Sequence, residues 1–166
     1  SLSDNSTTTL TEDDSGRIWI GTKTGYINCY DPVFDKFTYW KIESEITKEN
    51  PITIIYFDRK FNVWIGTYRS GLYKLDIKTG KTINWSYKKD DPASISSNYV
   101  TSIVEDDFGN LWIGTFNGIN KFKPDKSSNH FERFYVDKNN PNTLSDNIVW
   151  AITKSKLGTN KLWIGT

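Results

Sequence analysis

Trp112-Ile113-Gly114-Thr115 decides how this chain is read, because the same four residues recur three more times. They stand at Trp19-Ile20-Gly21-Thr22, Trp64-Ile65-Gly66-Thr67 and Trp163-Ile164-Gly165-Thr166, with start-to-start gaps of 45, 48 and 51 residues. Self-similarity at such a period marks a repeat architecture and has to be settled before any single element is assigned. Working outward from the Trp, an aliphatic residue stands nine positions earlier in the first three copies: Leu10, Ile55 and Ile103. Between lie Glu12-Asp13-Asp14-Ser15-Gly16, Phe57-Asp58-Arg59-Lys60-Phe61-Asn62 and Glu105-Asp106-Asp107-Phe108-Gly109-Asn110, rich in the Asp, Gly and Asn that hairpin turns need. In the second unit Asn62 is expected to serve for the turn Gly. The fourth copy carries a tip two residues longer, Lys154-Ser155-Lys156-Leu157-Gly158-Thr159-Asn160, as a solvated turn tolerates.

Each unit reads as four short strands. Strand A is apolar, as in Tyr99-Val100-Thr101-Ser102-Ile103-Val104 and Ile148-Val149-Trp150-Ala151-Ile152, and strand B holds the tetrapeptide. Strand C follows a Gly-containing turn: Gly25 to Asp31, Gly71 to Asp76, Gly118 to Lys123. Its apolar and polar residues alternate with the period of a two-faced strand. Strand D is Phe37-Thr38-Tyr39-Trp40, Thr82-Ile83-Asn84-Trp85 and Phe131-Glu132-Arg133-Phe134-Tyr135. The link from D to the next A repeats too, since Asp91 to Asn98 matches Asn140 to Asn147, with short polar groups suited to fixing a loop. No stretch has a helical period with caps.

Four-stranded units strung without long linkers predict an all-β β-propeller segment of about three and a half blades, spanning 3–50, 51–97, 98–144 and a half blade at 145–166 of one incomplete domain. The segment reads as a fragment. A seven-bladed ring would need on the order of 340 residues at this period, so open ends with apolar faces predict self-association. Trp19, Gly21, Trp64, Gly66, Trp112, Gly114, Trp163 and Gly165 are structural in this reading. Gly lets a neighbour approach, Trp fills the gap between blades and Thr bonds at the strand end.

Composition narrows function. With 21 basic and 20 acidic residues, and neither a basic stripe nor an acidic tail, the segment offers nothing to nucleic acid. The lone Cys29 permits no internal disulfide, and no run of about 18 apolar residues spans a membrane. Catalytic inventory is thin. His130 is the single His, in a polar stretch before strand D, and Cys29 reads as a small buried hydrophobe. Metal-ligand spacing and phosphate loops are missing, and the acidic turns lack the alternating ligands of a Ca²⁺ loop, so neither cofactor nor metal is expected. Asn5-Ser6-Thr7 and Asn84-Trp85-Ser86 match the glycosylation sequon by chance spacing.

Propeller geometry puts the B–C and D–A connections on one face. There the B–C turns offer Lys23, Tyr68, Arg69, Phe116 and Asn117 as ligand-binding candidates, and the D–A links offer Glu43, Asp90, Asp91, Asn139 and Asn140. Aromatic rings cover the C–H face of a sugar while Arg and amides meet its hydroxyls, which points to an oligosaccharide. Tyr68 and Phe116 come from consecutive units, so they are expected to line one groove near the axis.

An apolar strand, an acidic Gly turn, Leu-Trp-Ile-Gly-Thr, a Gly-led strand C and a Ser-Asp-Asn lead-in together resemble the two-component-regulator propeller repeat. Val100 to Phe122 and Ile148 to Thr166 carry the resemblance most fully. It implies part of a seven-bladed propeller in the periplasmic sensor region of a hybrid two-component system of gut Bacteroidetes. It also implies dimeric sensing of glycan breakdown products and a membrane-anchored parent with a histidine kinase, the segment itself not being an enzyme. A propeller-type polysaccharide lyase or hydrolase and a protein-interaction scaffold are the rival expectations.

Overall fold

The computed structural model describes residues 1–43, 49–124, 129–155 and 161–166; the long fourth hairpin tip (156–160) and Lys48 of the second link lie outside them. Alternating side chains and Gly-rich turns give three antiparallel four-stranded sheets and one two-stranded sheet among the described residues, with no helix. The first sheet holds β1 (Thr7–Glu12), β2 (Ile18–Thr22), β3 (Tyr26–Asp31) and β4 (Lys36–Lys41). The second holds β5 (Ile52–Phe57), β6 (Val63–Thr67), β7 (Leu72–Leu75) and β8 (Thr82–Trp85). The third holds β9 (Val100–Glu105), β10 (Leu111–Thr115), β11 (Gly118–Phe122) and β12 (Phe131–Phe134), and the last β13 (Ala151–Lys154) and β14 (Leu162–Gly165). Strands pair in chain order within every sheet, and the first strands β1, β5, β9 and β13 lie one against the next. This is a partial β-propeller of three blades and a two-stranded sheet.

Three seams bury the core. Trp19, Ile27, Ile52, Ile55, Val63 and Ile65 pack between blades one and two. Trp64, Leu72, Val100, Leu111, Phe122 and Phe131 pack between two and three, and Ile119, Val149 and Ile152 between three and four. The tetrapeptide explains the spacing. A Cβ on Gly21 would lie 2.7 Å from Ile52 Cβ, one on Gly66 2.7 Å from Val100 Cγ1, and one on Gly114 2.9 Å from Val149 Cγ1. Each Gly thus receives the β-branched side chain that opens the next blade. Trp19 stacks on Trp40 at 5.3 Å and meets Phe57 of blade two edge-on. Trp64 packs on Trp85 at 5.6 Å and on Phe122 of blade three. Trp112 is half-buried against Phe134, while Trp163 is 64% exposed.

A second device ties blades at the inner strands. The first strand of blades one to three carries a bulge, at Thr7/Thr9, Ile52/Ile54 and, opposite Gly114/Thr115, between Val100 and Ser102. The skipped residue is a Thr each time. Its hydroxyl donates across the seam: Thr8 to Ile52 O at 2.6 Å, Thr53 to Val100 O at 2.6 Å, Thr101 to Val149 O at 2.7 Å. A bulge re-aims one side chain, here toward the neighbouring blade.

The acidic turns hold the Trp in place as well as reversing the chain. Asp58 accepts from Lys60 N, Asn62 N, Asn62 Nδ2 and Trp64 Nε1, all within 2.9 Å. Asp106 does the same for Phe108, Asn110 and Trp112, and Asp13 for Ser15, Arg17 and Trp19. In the last hairpin Ser155 stands at this station, its N–H donating to Lys161 O as that of Asp106 does to Asn110 O. The second unit corrects one sequence expectation. Phe61, with φ 60°, occupies the left-handed turn position of Gly16 and Gly109, and Asn62 plays the part of Asn110.

These carboxylates give the fold an acid limit. Burial alone would push Asp13 and Asp106 up, but the hydrogen bonds from Trp19 and Arg17, and from Asn110 and Trp112, outweigh it and hold both below the ordinary 3.8. A depressed carboxyl contributes stability that is complete above its unfolded pKa and is lost as pH falls through the folded one. Stability is therefore expected to be insensitive to these groups from pH 5 to 8 and to drop below about pH 4. Asp106→Asn should lower the urea midpoint at pH 7, with the gap to the unsubstituted protein narrowing as pH falls below about 4. A gap that persists unchanged at pH 3 would contradict this assignment.

Candidate functional site

One face of the sheets carries a row of aromatic rings, and the blade geometry builds it. Beyond each bulge the first hairpin keeps one more backbone bond. Lys23 N donates to Ser6 O, Tyr68 N to Pro51 O and Phe116 N to Tyr99 O, at 2.9, 3.0 and 3.2 Å. The residue after the strand-B Thr is thereby fixed beside the residue before strand A. In blade three both are aromatic, and Tyr99 and Phe116 stack with centroids 3.9 Å apart. Tyr68 of blade two meets Tyr99 at 4.4 Å, edge to face. Trp150 of the last sheet meets Phe116 at 5.0 Å, also edge to face. The row therefore runs Tyr68, Tyr99, Phe116, Trp150 and crosses two seams. Tyr68 and Trp150 are well exposed, at 42% and 60%, and the two middle rings are half-buried.

The turns behind the row are rigid. Thr67 and Thr115, fully buried, donate to Gly71 O and Gly118 O at 2.9 Å. Gly71 and Gly118 have φ of 86° and 88° and lie against the backbone carbonyls of Trp85 and Phe134, leaving no room for a side chain. Their N–H groups reach across the seam to Asn98 O and Asn147 O in the following links. Burial, with the neighbouring Tyr68 phenol, pushes the Tyr99 hydroxyl up, so the row is uncharged at neutral pH.

The sequence candidates divide. Tyr68, Arg69 and Phe116 come together, with the Arg69 guanidinium 5.4 Å from the Tyr68 centroid. Lys23 holds the matching position in blade one but stands apart from the rings, paired with Glu49 at 3.4 Å. Asn117 turns to the link: its N–H donates to Thr115 Oγ1 and its amide to Ser96 O. Asp91 and Asn140 accept from Ala93 N and Asn142 N and so shape their loops, while Glu43, Asp90 and Asn139 are exposed. Sequence reading missed Tyr99 and Trp150 as members of the site, though both were visible as strand-A residues. The signal was positional: Tyr99 lies opposite Phe116, and Trp150 stands where the earlier units have Thr8, Thr53 and Thr101.

Other chemistry is sparse. Among the described residues no group of three or more His, Cys, Asp or Glu could hold a metal. His130 is exposed and precedes β12, at the end of the sheet away from the row. Cys29 is buried, and burial pushes its thiol up. No described helix is long and apolar enough to cross a membrane.

Comparison with known proteins adds the following. The family model described as two component regulator propeller matches residues 1–24 and 94–117. None of the curated proteins compared matches the sequence. Among solved structures, the chain is similar to the extracellular domain of a putative hybrid two-component system from B. thetaiotaomicron, at TM-score 0.80 and 23% identity over 99% of this chain and 21% of that one. A second such domain from the same organism gives TM-score 0.75 and 26% identity over 99% and 22%. A streptogramin B lyase gives 0.68 and 19% over 99% and 49%. The chain thus spans about a fifth of the length of the two extracellular domains. The two matched stretches, each ending just past its own Trp-Ile-Gly-Thr, are similar to two component regulator propeller repeats, and the fold around them is that of a partial propeller.

Proposed function

We propose that this chain is a segment of the periplasmic sensor region of a hybrid two-component regulator, one part of a seven-bladed ring, and that it binds an oligosaccharide released by glycan breakdown. The observation that carries the reading is the continuous row Tyr68–Tyr99–Phe116–Trp150, uncharged, exposed at its two ends and backed by rigid turns across two seams. Sugar rings place their C–H faces on such surfaces, and the rim supplies polar groups for the hydroxyls. The repeats and the similarity to extracellular domains of two-component systems support the sensor assignment. The segment binds without converting its ligand, since the row carries neither a His nor paired carboxylates for acid–base work. Signalling to a histidine kinase in a membrane-anchored parent follows if the ligand has different affinities for two dimer arrangements. The exposed Leu10 of blade one and Trp163 and Ile164 of the last sheet supply apolar surface for self-association, which sedimentation at rising concentration would reveal as a growing mass.

Calorimetric titration against a panel of plant- and host-glycan oligosaccharides tests the reading. Saturable binding to at least one is expected, weakened severalfold by Phe116→Ala and by Trp150→Ala, as befits a stacking contribution of about 0.5–1.5 kcal/mol per ring. A panel without binding, or binding indifferent to both substitutions, would remove the row from the account.

A further inference from the structure

The row is not symmetrical along its length. At its blade-three and blade-four end it presents the rings Phe116 and Trp150, and the nearby Asp146 carboxylate accepts from Ile148 N. At its blade-two end the guanidinium of Arg69 sits beside the Tyr68 ring, and no carboxylate pairs with it among the described residues. The charged groups next along the same face are accounted for. Lys23 is neutralised by Glu49, and the Asp4 carboxylate accepts from Ser6 N and from both the N–H and hydroxyl of Thr24. Arg69 is thus the uncompensated charge at that end. A guanidinium held over an aromatic ring keeps its fork of N–H donors in the ring plane direction and matches a carboxylate in two bonds at once. A neutral sugar has nothing of that kind to offer.

We infer that the ligand is an acidic oligosaccharide, with a uronate residue over Tyr68 whose carboxylate is gripped by Arg69 and with less polar sugar faces running over Tyr99, Phe116 and Trp150. The inference rests on the oligosaccharide reading above and specifies its chemistry and its direction on the row. The row alone would take neutral and acidic chains alike; the single cation at one end makes it selective and polar. The exposed Arg69 belongs to none of the buried seam clusters, so its substitution leaves the fold intact.

The test is a titration of the protein with two matched sets. One comprises uronate-bearing oligosaccharides of three to four residues, such as oligogalacturonides and glucuronate-containing tetrasaccharides. The other comprises the same compounds with every carboxyl methyl-esterified. The free acids should bind about tenfold tighter than their esters, equivalent to about 1.4 kcal/mol. Arg69→Gln should erase most of that acid-over-ester difference, Arg69→Lys should restore part of it, and added salt should shrink it. Equal binding of acid and ester, or of neutral oligosaccharides alone, would overturn the acidic specificity and leave the row as a sugar platform. Absence of binding by any acidic or neutral compound would overturn both.

Discussion

Trp64→Ala will cost the fold about 3–5 kcal/mol, the range for emptying a buried large aromatic site, whereas Trp163→Ala will cost less than about 0.5 kcal/mol. The two residues share a tetrapeptide and differ only in surroundings. Trp64 is 1% exposed, packs on Trp85 and Phe122 and donates its indole N–H to Asp58. Removing it leaves a cavity across the seam and frees a nearly buried carboxylate from one of its four donors. Trp163 is 64% exposed, with Ser155 at the station of the acceptor Asp. Circular dichroism in urea measures both shifts without relying on Trp emission. Comparable losses for the two would mean that the motif acts locally, within its own hairpin, and not through the seam.

The second large effect belongs to the glycine two positions on. Gly66→Ala places a methyl 2.7 Å from both Ile54 Cγ2 and Val100 Cγ1. Those atoms belong to β-branched side chains on two different blades, so neither can yield without moving a strand. The expected cost is about 1–3 kcal/mol. Gly165→Ala should be close to neutral, since the added methyl would meet only Ala151 O, at 3.9 Å. A double-mutant cycle sharpens the argument. Gly66→Ala with Val100→Ala should cost less than the sum of the two single changes, because the second makes room for the first. Additive costs would show that the glycine is retained for backbone freedom and not for the approach of the next blade.

The architecture was legible because one constraint is written four times. A blade face must accept its neighbour, so Gly, Trp and Thr recur at fixed spacing and the strands fall into place around them. The acidic turns were legible as turns but not as anchors. Asp13, Asp58 and Asp106 look like solvated carboxylates until the indole N–H six residues on is seen to reach back. The second hairpin shows a similar limit: nothing in Phe61 announces a left-handed residue, and only the register with Gly16 and Gly109 reveals it. At the candidate site, Tyr68, Arg69 and Phe116 could be named because turn residues on one face are candidates in any propeller. Tyr99 and Trp150 escaped because strand-A residues read as core by alternation. Tyr99 stands just before β9 and Trp150 just before β13, and the side such a residue takes is set by pairing between strands, which a single strand does not display.

Lys23 and Asn117 stand at the same turns and are engaged elsewhere. Lys23 occupies the same station as Tyr68 and Phe116 but has Ser6 opposite it where they have Pro51 and Tyr99, so no ring is present for a stack to begin. Asn117 carries the amide a sugar site wants and directs it to Ser96 O, in the link of its own blade. A residue's chemistry was readable from one position. Its availability was not, because that depends on what the neighbouring link brings to it.

The measurement that bears most directly on this account is a crystal structure of the protein with the tightest-binding oligosaccharide from the panel. The account predicts a sugar ring within about 4 Å of Tyr99, Phe116 or Trp150, the contact distance of packed apolar groups, with the chain running along the row toward Arg69. A sugar seated elsewhere, at the hairpin tips or in a seam, with the four rings bare, would contradict it.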